Sequence, residues 1–191
     1  MINKIKRELT DIPKYLINKI NNCQACPLHA VRRKNCNPVI GRGTIPADIL
    51  FIGEAPGLTE ELLGKPFIGP SGKLLDLMLS QAIGSHITYY ITNIVMCRPT
   101  NKKMGDNRAP LPFEITKCSQ YLMQIYDIVN PKVVCFVGRV AETNYKREFP
   151  ESIFIYHPAF LLRGGGPKHP NYSSELRKLS ELSKYLRRFN G

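Results

Sequence analysis

The chain has 191 residues, 43% of them hydrophobic, and carries 27 lysines and arginines against 15 aspartates and glutamates, a formal net charge of +12. That length suits one domain, taken as residues 1–191, with a core of its own. No apolar run approaches the length of a membrane span, and the N-terminal MINKIKRELTDIPKY lacks the apolar centre of a secretory signal. The basic balance favours a polyanionic partner, although a solvated basic surface accounts for the same count. An intracellular location is expected, in which the six cysteines are thiols or metal ligands rather than disulfides.

Residues 1–22 predict an amphipathic helix. Ile12, Tyr15, Leu16, Lys19 and Ile20 fall at helical spacing, Thr10 or Asp11 is a candidate cap, and Pro13 suits the first turn. Cys23-Gln24-Ala25-Cys26 follows. A CxxC pair is compatible with a zinc half-site, a redox pair or a cluster half-site. No second CxxC exists, and the possible partners are Cys36, Cys97, Cys118 and Cys135. Cys135 lies inside the apolar run Val133–Val137 and reads as a buried structural thiol; Cys36 lies in a basic loop and reads as a spare. Within residues 27–47, Arg32, Arg33, Lys34 and Arg42 suit phosphate contacts and a solvated face equally well.

Residues 48–53 read as a strand whose continuous apolar run, Ile49-Leu50-Phe51-Ile52, suits burial on both faces. A Gly- and Pro-rich loop follows, containing Glu60-Glu61 and Pro66-Phe67-Ile68-Gly69, before apolar periodicity resumes at Leu74, Leu75, Leu77, Met78 and Leu79 as a helix. Loops at the carboxyl ends of strands are where open α/β sheets bind ligands. Further strands are predicted at 89–95, 132–137 and 152–156, and helices at 112–128, 140–145 and 173–189, the last basic, with Leu176, Leu179, Leu182, Leu186 and Phe189 on one side. Alternation of this kind implies a three-layer α/β/α sandwich around a four-stranded parallel sheet. The first, second and fourth strands end in polar or Gly-rich segments, so Glu54, Phe67, Asn93 and His157 can meet at one sheet edge.

The string Gly53-Glu54-Ala55-Pro56-Gly57, Glu60-Glu61, Pro66-Phe67-Ile68-Gly69 and Gly72 closely resembles the first motif of family 4 uracil-DNA glycosylases, the iron–sulfur-containing type. Glu61 stands where that family usually has Asp. His157-Pro158-Ala159, followed by Leu161-Leu162-Arg163, resembles the second motif. The resemblance covers roughly residues 20–163 and implies a [4Fe–4S] cluster on Cys23, Cys26, Cys97 and Cys118, with a structural role. The Cys97–Cys118 segment is longer than the family's, with Lys102–Asp106 inserted and Thr100 in place of a second proline. The loop Gly164–Pro170 is also longer than expected.

The implied activity is hydrolysis of the N-glycosidic bond of deoxyuridine in single- or double-stranded DNA, by a monomer that flips the nucleotide into a pocket. Uracil would be held by Gly53, Phe67, Asn93 and Glu60. Phe67 would stack on the base, and the Asn93 amide would accept from N3–H and donate to O4. Glu60 would crowd the C5 edge against thymine; a helix-start acid favourable to the dipole explains it equally. His157 would donate to O2 of the leaving base, and Glu54 would position water or stabilise the cationic sugar. Leu161, Leu162 and Arg163 would enter the gap left in the DNA. The alternatives are a catalytically inactive or altered-specificity iron–sulfur nucleic-acid-binding relative, which has no need of Glu54, Asn93 and His157 together; a glycosylase that stays covalently bound through a His, absent from the Lys102–Asp106 insert; and a zinc module.

Overall fold

The computed structural model describes residues 11–188, so the expected cap Thr10 and the apolar Phe189 lie outside the described residues. The elements in chain order are α1 (Lys14–Asn21), α2 (Leu28–Val31), β1 (Arg42–Gly43), β2 (Ile49–Gly53), α3 (Leu58–Leu63), α4 (Pro70–Ala82), β3 (Tyr89–Asn93), α5 (Pro112–Val129), β4 (Val133–Val137), α6 (Arg139–Tyr145), β5 (Ile153–Ile155), α7 (Pro158–Arg163) and α8 (Tyr172–Arg187). Pro13 precedes the first turn of α1 rather than standing in it, and among the described residues no side chain caps that helix; the Asp11 carboxylate instead accepts from the Ile12 N–H at 2.7 Å.

The sheet order is β1-β3-β2-β4-β5. The four expected strands pair in parallel, and the two-residue β1 adds an antiparallel edge on β3. That edge strand escapes prediction because two residues carry no periodicity. β2 lies at the centre, and its residues show why it is apolar throughout. Leu50 and Ile52 face a layer containing α1, α5 and α6, whereas Ile49 and Phe51 face a layer containing α4, α7 and α8. All four are fully buried. Successive side chains of a strand point to opposite faces, so a strand covered on both faces must be apolar at every position.

The chain leaves β2 for β3 on one side and returns to β4 on the other, which puts a switch point beside the carboxyl end of β2, where open α/β sheets bind ligands. The parallel register sets Gly53 opposite Asn93. Beyond β4, Gly138 adopts φ +98°, and a Cβ there would stand 3.0 Å from the Cβ of His157. A glycine at this turn lets the β5–α7 corner close over the end of the sheet. The Gly164–Pro170 loop is a compact turn, with a short 3₁₀ segment at Gly166–Lys168 leading into α8.

Candidate active site

A cleft of about 420 Å³ opens at this sheet edge, and Glu54, Phe67, Asn93 and His157 all line it. The convergence expected from three separate strand ends is therefore present. Gly53, expected to touch the base, does not line the cleft and instead lies behind Phe67 and Asn93. A Cβ at this position would collide with the Phe67 ring and come within 2.6 Å of the Asn93 carboxamide oxygen, so the absent side chain is what lets the two groups meet. Asn93 is buried, and its Oδ1 has no hydrogen-bond partner among the described residues. An unpaired buried acceptor costs stability, on the order of 1–3 kcal/mol, and this one belongs to a residue that lines the cleft.

Phe67 sits in a turn that is restrained from both sides. Its φ of +51° is in the left-handed region, which a bulky aromatic rarely adopts. The Arg42 guanidinium donates to the carbonyls of Pro66 (2.9 Å) and Phe67 (3.1 Å) and pairs with the Asp76 carboxylate. From the other side, Glu60 Oε1 accepts from the backbone N–H groups of Ile68 (3.1 Å) and Gly69 (2.7 Å). Gly72 lets helix α4 press against the Phe67 backbone, since a Cβ there would overlap it. Glu60 lines the cleft and also clamps the turn, a contact that neither the thymine-excluding nor the dipole reading anticipated.

The His157 ring lies 5.7 Å from that of Phe67, at 32° between planes. His157 caps α7: its Nδ1 accepts from the Ala159 N–H at 3.1 Å. An accepting Nδ1 carries no proton, so the neutral ring presents Nε2–H as a donor. Burial holds the imidazole far below its ordinary range, at about 4; nearby Arg163 pushes the same way and Glu60 opposes. Burial alone pushes the Glu54 carboxyl above the usual carboxylate range.

The expected DNA-facing trio divides. Leu161 is fully buried among Val137, Ile155 and Leu179, so it is a core residue and is not available to enter DNA. Leu162 and Arg163 are exposed on the next positions of α7. With Pro158 and Leu161 the buried residues of this one-and-a-half-turn helix, the LLR string cannot present both leucines outward. The basic residues of the 27–47 segment divide too: Arg42 clamps the Phe67 turn, Arg32 donates to the Cys97 sulfur (3.8 Å), Arg33 lies 3.6 Å from Glu61, and Lys34 is exposed.

Sequence reasoning missed Arg98 and Asn107. Buried Arg98 pairs with buried Glu61 at 2.9 Å and donates to the Gly105 carbonyl (3.0 Å) and to Asn107 Oδ1 (2.8 Å). Removing one partner of such a pair leaves an uncompensated buried charge, about 3–5 kcal/mol. The signal was a second acid next to Glu60 with no evident solvent role, but its partner is 37 residues away.

Cys23, Cys26, Cys97 and Cys118 ring one pocket between α1, the loop after β3, and α5. Cys36 does not line it, and Cys135 is buried in β4. Burial raises the Cys26 thiol above its ordinary value and lifts Cys97 to about 11 and Cys118 to about 12, so thiolates at these positions need positive charge close by. Among the described residues no group of three or more His, Cys, Asp or Glu is arranged to hold a single metal ion. The donor set, four thiols around one pocket and no carboxylate, fits an iron–sulfur cluster.

Comparison with known proteins identifies the family. The profile of the uracil DNA glycosylase superfamily matches residues 40–179. The type-4 uracil-DNA glycosylase of Archaeoglobus fulgidus is 34% identical, over 87% of this chain and 91% of that protein. That of Thermotoga maritima is 32% identical, over 91% and 90%, and that of Sulfurisphaera tokodaii is 42% identical, over 85% and 77%. With the superfamily profile spanning all three strand ends of the cleft and relatives of one type aligned over most of their length, this chain belongs to the uracil DNA glycosylase superfamily, among its type-4 members.

Proposed function

We propose that this chain excises uracil from DNA by hydrolysing the N-glycosidic bond, leaving an abasic site. The observation that carries the reading is the unpartnered Asn93 Oδ1 in a cleft walled by Phe67 and His157. A planar base with one N–H donor flanked by carbonyls satisfies that oxygen. The Asn93 carboxamide accepts from uracil N3–H and donates to O4; cytosine presents the reversed pattern and leaves both groups opposed. Phe67 supplies the stacking face, and its clamped turn keeps that face in place before DNA arrives.

As the C1′–N1 bond breaks, its electron pair passes to the base and charge develops on the carbonyl oxygens. The neutral His157 donates Nε2–H to O2. Its depressed pKa keeps the ring neutral, so it stabilises the anion as a hydrogen-bond donor rather than as a cation. The sugar becomes oxocarbenium-like. Glu54, half-buried at the cleft wall, orients water toward C1′ and takes its proton. Desolvation makes this carboxylate a stronger base than a solvent-exposed one. Leu162 and Arg163 face the DNA from α7, and Leu161 holds that helix to the core.

Cys23, Cys26, Cys97 and Cys118 would hold a [4Fe–4S] cluster. When bound it would supply a structural cross-link between α1, the loop after β3 and α5, with no part in the bond cleavage. We further infer a monomer acting inside the cell; no described helix is long and apolar enough to cross a membrane. The test is uracil release from oligonucleotides, single-stranded and with uracil opposite guanine, using anaerobically purified protein. Abasic product from uracil but not thymine supports the reading. No product from folded, cluster-loaded protein overturns it in favour of a binding protein.

A further inference from the structure

The segment Pro99–Arg108 is a closed loop standing on the cleft rim. Its two feet, Pro99 and the Asn107–Arg108 pair, line the cleft, and the Arg108 N–H bonds the Pro99 carbonyl at 3.1 Å across the base. The loop is braced rather than loose. Buried Arg98 reaches into it to the Gly105 carbonyl and Asn107 Oδ1, and Arg108 bonds Asn101 Oδ1 at 2.9 Å while pairing with Glu114 at 2.6 Å. At the tip, the Gly105 N–H closes a turn onto the Lys102 carbonyl (3.0 Å) and Met104 takes φ +59°. Met104 is 73% exposed, the most exposed large hydrophobic residue among those described. Lys102 and Lys103 beside it are exposed and form no ion pair among the described residues.

We propose that this loop is a second DNA-gripping element, in which Lys102 and Lys103 contact phosphates flanking the extruded nucleotide and Met104 packs against the bases it leaves behind. The chemistry is that of a basic apolar-tipped wedge: ammonium groups displace condensed counterions from the backbone, and an unbranched thioether fits irregular base faces. A left-handed Met held at a solvent-exposed tip has no core to fill, and a buried ion pair spent on bracing a surface loop indicates that its position matters. This rests on the reading of the cleft as a uracil site.

The test compares the wild type with Lys102→Ala/Lys103→Ala and with Met104→Asn, which tolerates the left-handed backbone. Binding to a duplex containing an abasic-site analogue is measured by fluorescence anisotropy between 50 and 200 mM salt, alongside single-turnover uracil excision. Losing two phosphate contacts reduces the log–log salt slope by about 1.8, so the wild type should lose about twelvefold more affinity than the double variant over that range. Met104→Asn should keep the slope and weaken binding to the duplex several-fold. Slopes and affinities equal to wild type in both variants overturn the proposal even if uracil is excised normally. Altered binding together with a wild type that excises no uracil would overturn the activity and leave the loop as a DNA contact. Circular dichroism and melting of each variant identify any loss caused by misfolding, and Lys102→Gln/Lys103→Gln then repeats the charge test.

Discussion

Arg42 holds Phe67 in place through the backbone: one guanidinium donates to the carbonyls of Pro66 and Phe67 and pairs with Asp76, fixing an aromatic residue at φ +51° in the cleft wall. A basic residue in a basic segment is thereby committed to positioning. Arg42→Ala should release the turn and lower kcat/KM for uracil-containing DNA by about tenfold, within the 1–3 kcal/mol of aromatic–base stacking. The loss should fall mainly on KM, with DNA salt dependence unchanged. Arg42→Lys should rescue poorly, because a single ammonium cannot span three acceptors. A drop in the salt slope would instead assign Arg42 to a phosphate.

Asn93 Oδ1 has no hydrogen-bond partner among the described residues, so its removal should separate activity from stability. Asn93→Ala is expected to cut kcat/KM by about 10- to 100-fold, from the loss of a buried pairing worth about 1–3 kcal/mol, while shifting Tm little. Gly53→Ala should be comparably inactive for a steric reason, since the new methyl displaces the Phe67 ring and the Asn93 amide. Steady-state kinetics and thermal melts on both variants check the pair.

His157 carries a pH signature. Its folded value of about 4 lies below the ordinary 6.5, so between those values the unfolded chain binds more protons than the folded one. The stability this neutral histidine permits is complete above pH 6.5 and is lost as pH falls toward 4. Wild type should lose about 2 kcal/mol relative to His157→Gln between pH 7.5 and 5, from the linkage of one such shifted group. His157→Ala should reduce excision by about 10²–10³-fold, as loss of an oxyanion donor does. Urea melts across pH test the first statement and single-turnover rates the second; an unchanged rate would remove His157 from the leaving-group role.

Cys118→Ser should abolish the brown cluster absorption and lower Tm, and should open the α1 and 97–118 segments to protease, whereas Cys36→Ser should do none of these, because Cys36 does not line the four-thiol pocket. Iron analysis and limited proteolysis of the two variants decide the ligand set.

The sequence by itself determined the four parallel strands, their burial and the meeting of Glu54, Phe67, Asn93 and His157 at one sheet edge. An unbroken run such as Ile49–Ile52 has few stable homes other than a strand covered on both faces, and residues at strand ends in a parallel sheet share one edge. The neighbouring segments also resemble a known family, which made the cysteine set legible despite the single CxxC. Tertiary structure alone decided how those groups are held. Arg42 meets Phe67 across 25 residues and Arg98 meets Glu61 across 37, distances at which no local periodicity operates. It also decided which leucine faces outward: α7 is so short that one residue of rotation takes Leu161 into the core and leaves Leu162 at the surface. Local pattern specifies an element because backbone geometry repeats along the chain. The direction of one side chain on a short element, or the partner of one buried charge, depends on what packs against it, and that is a property of the folded whole.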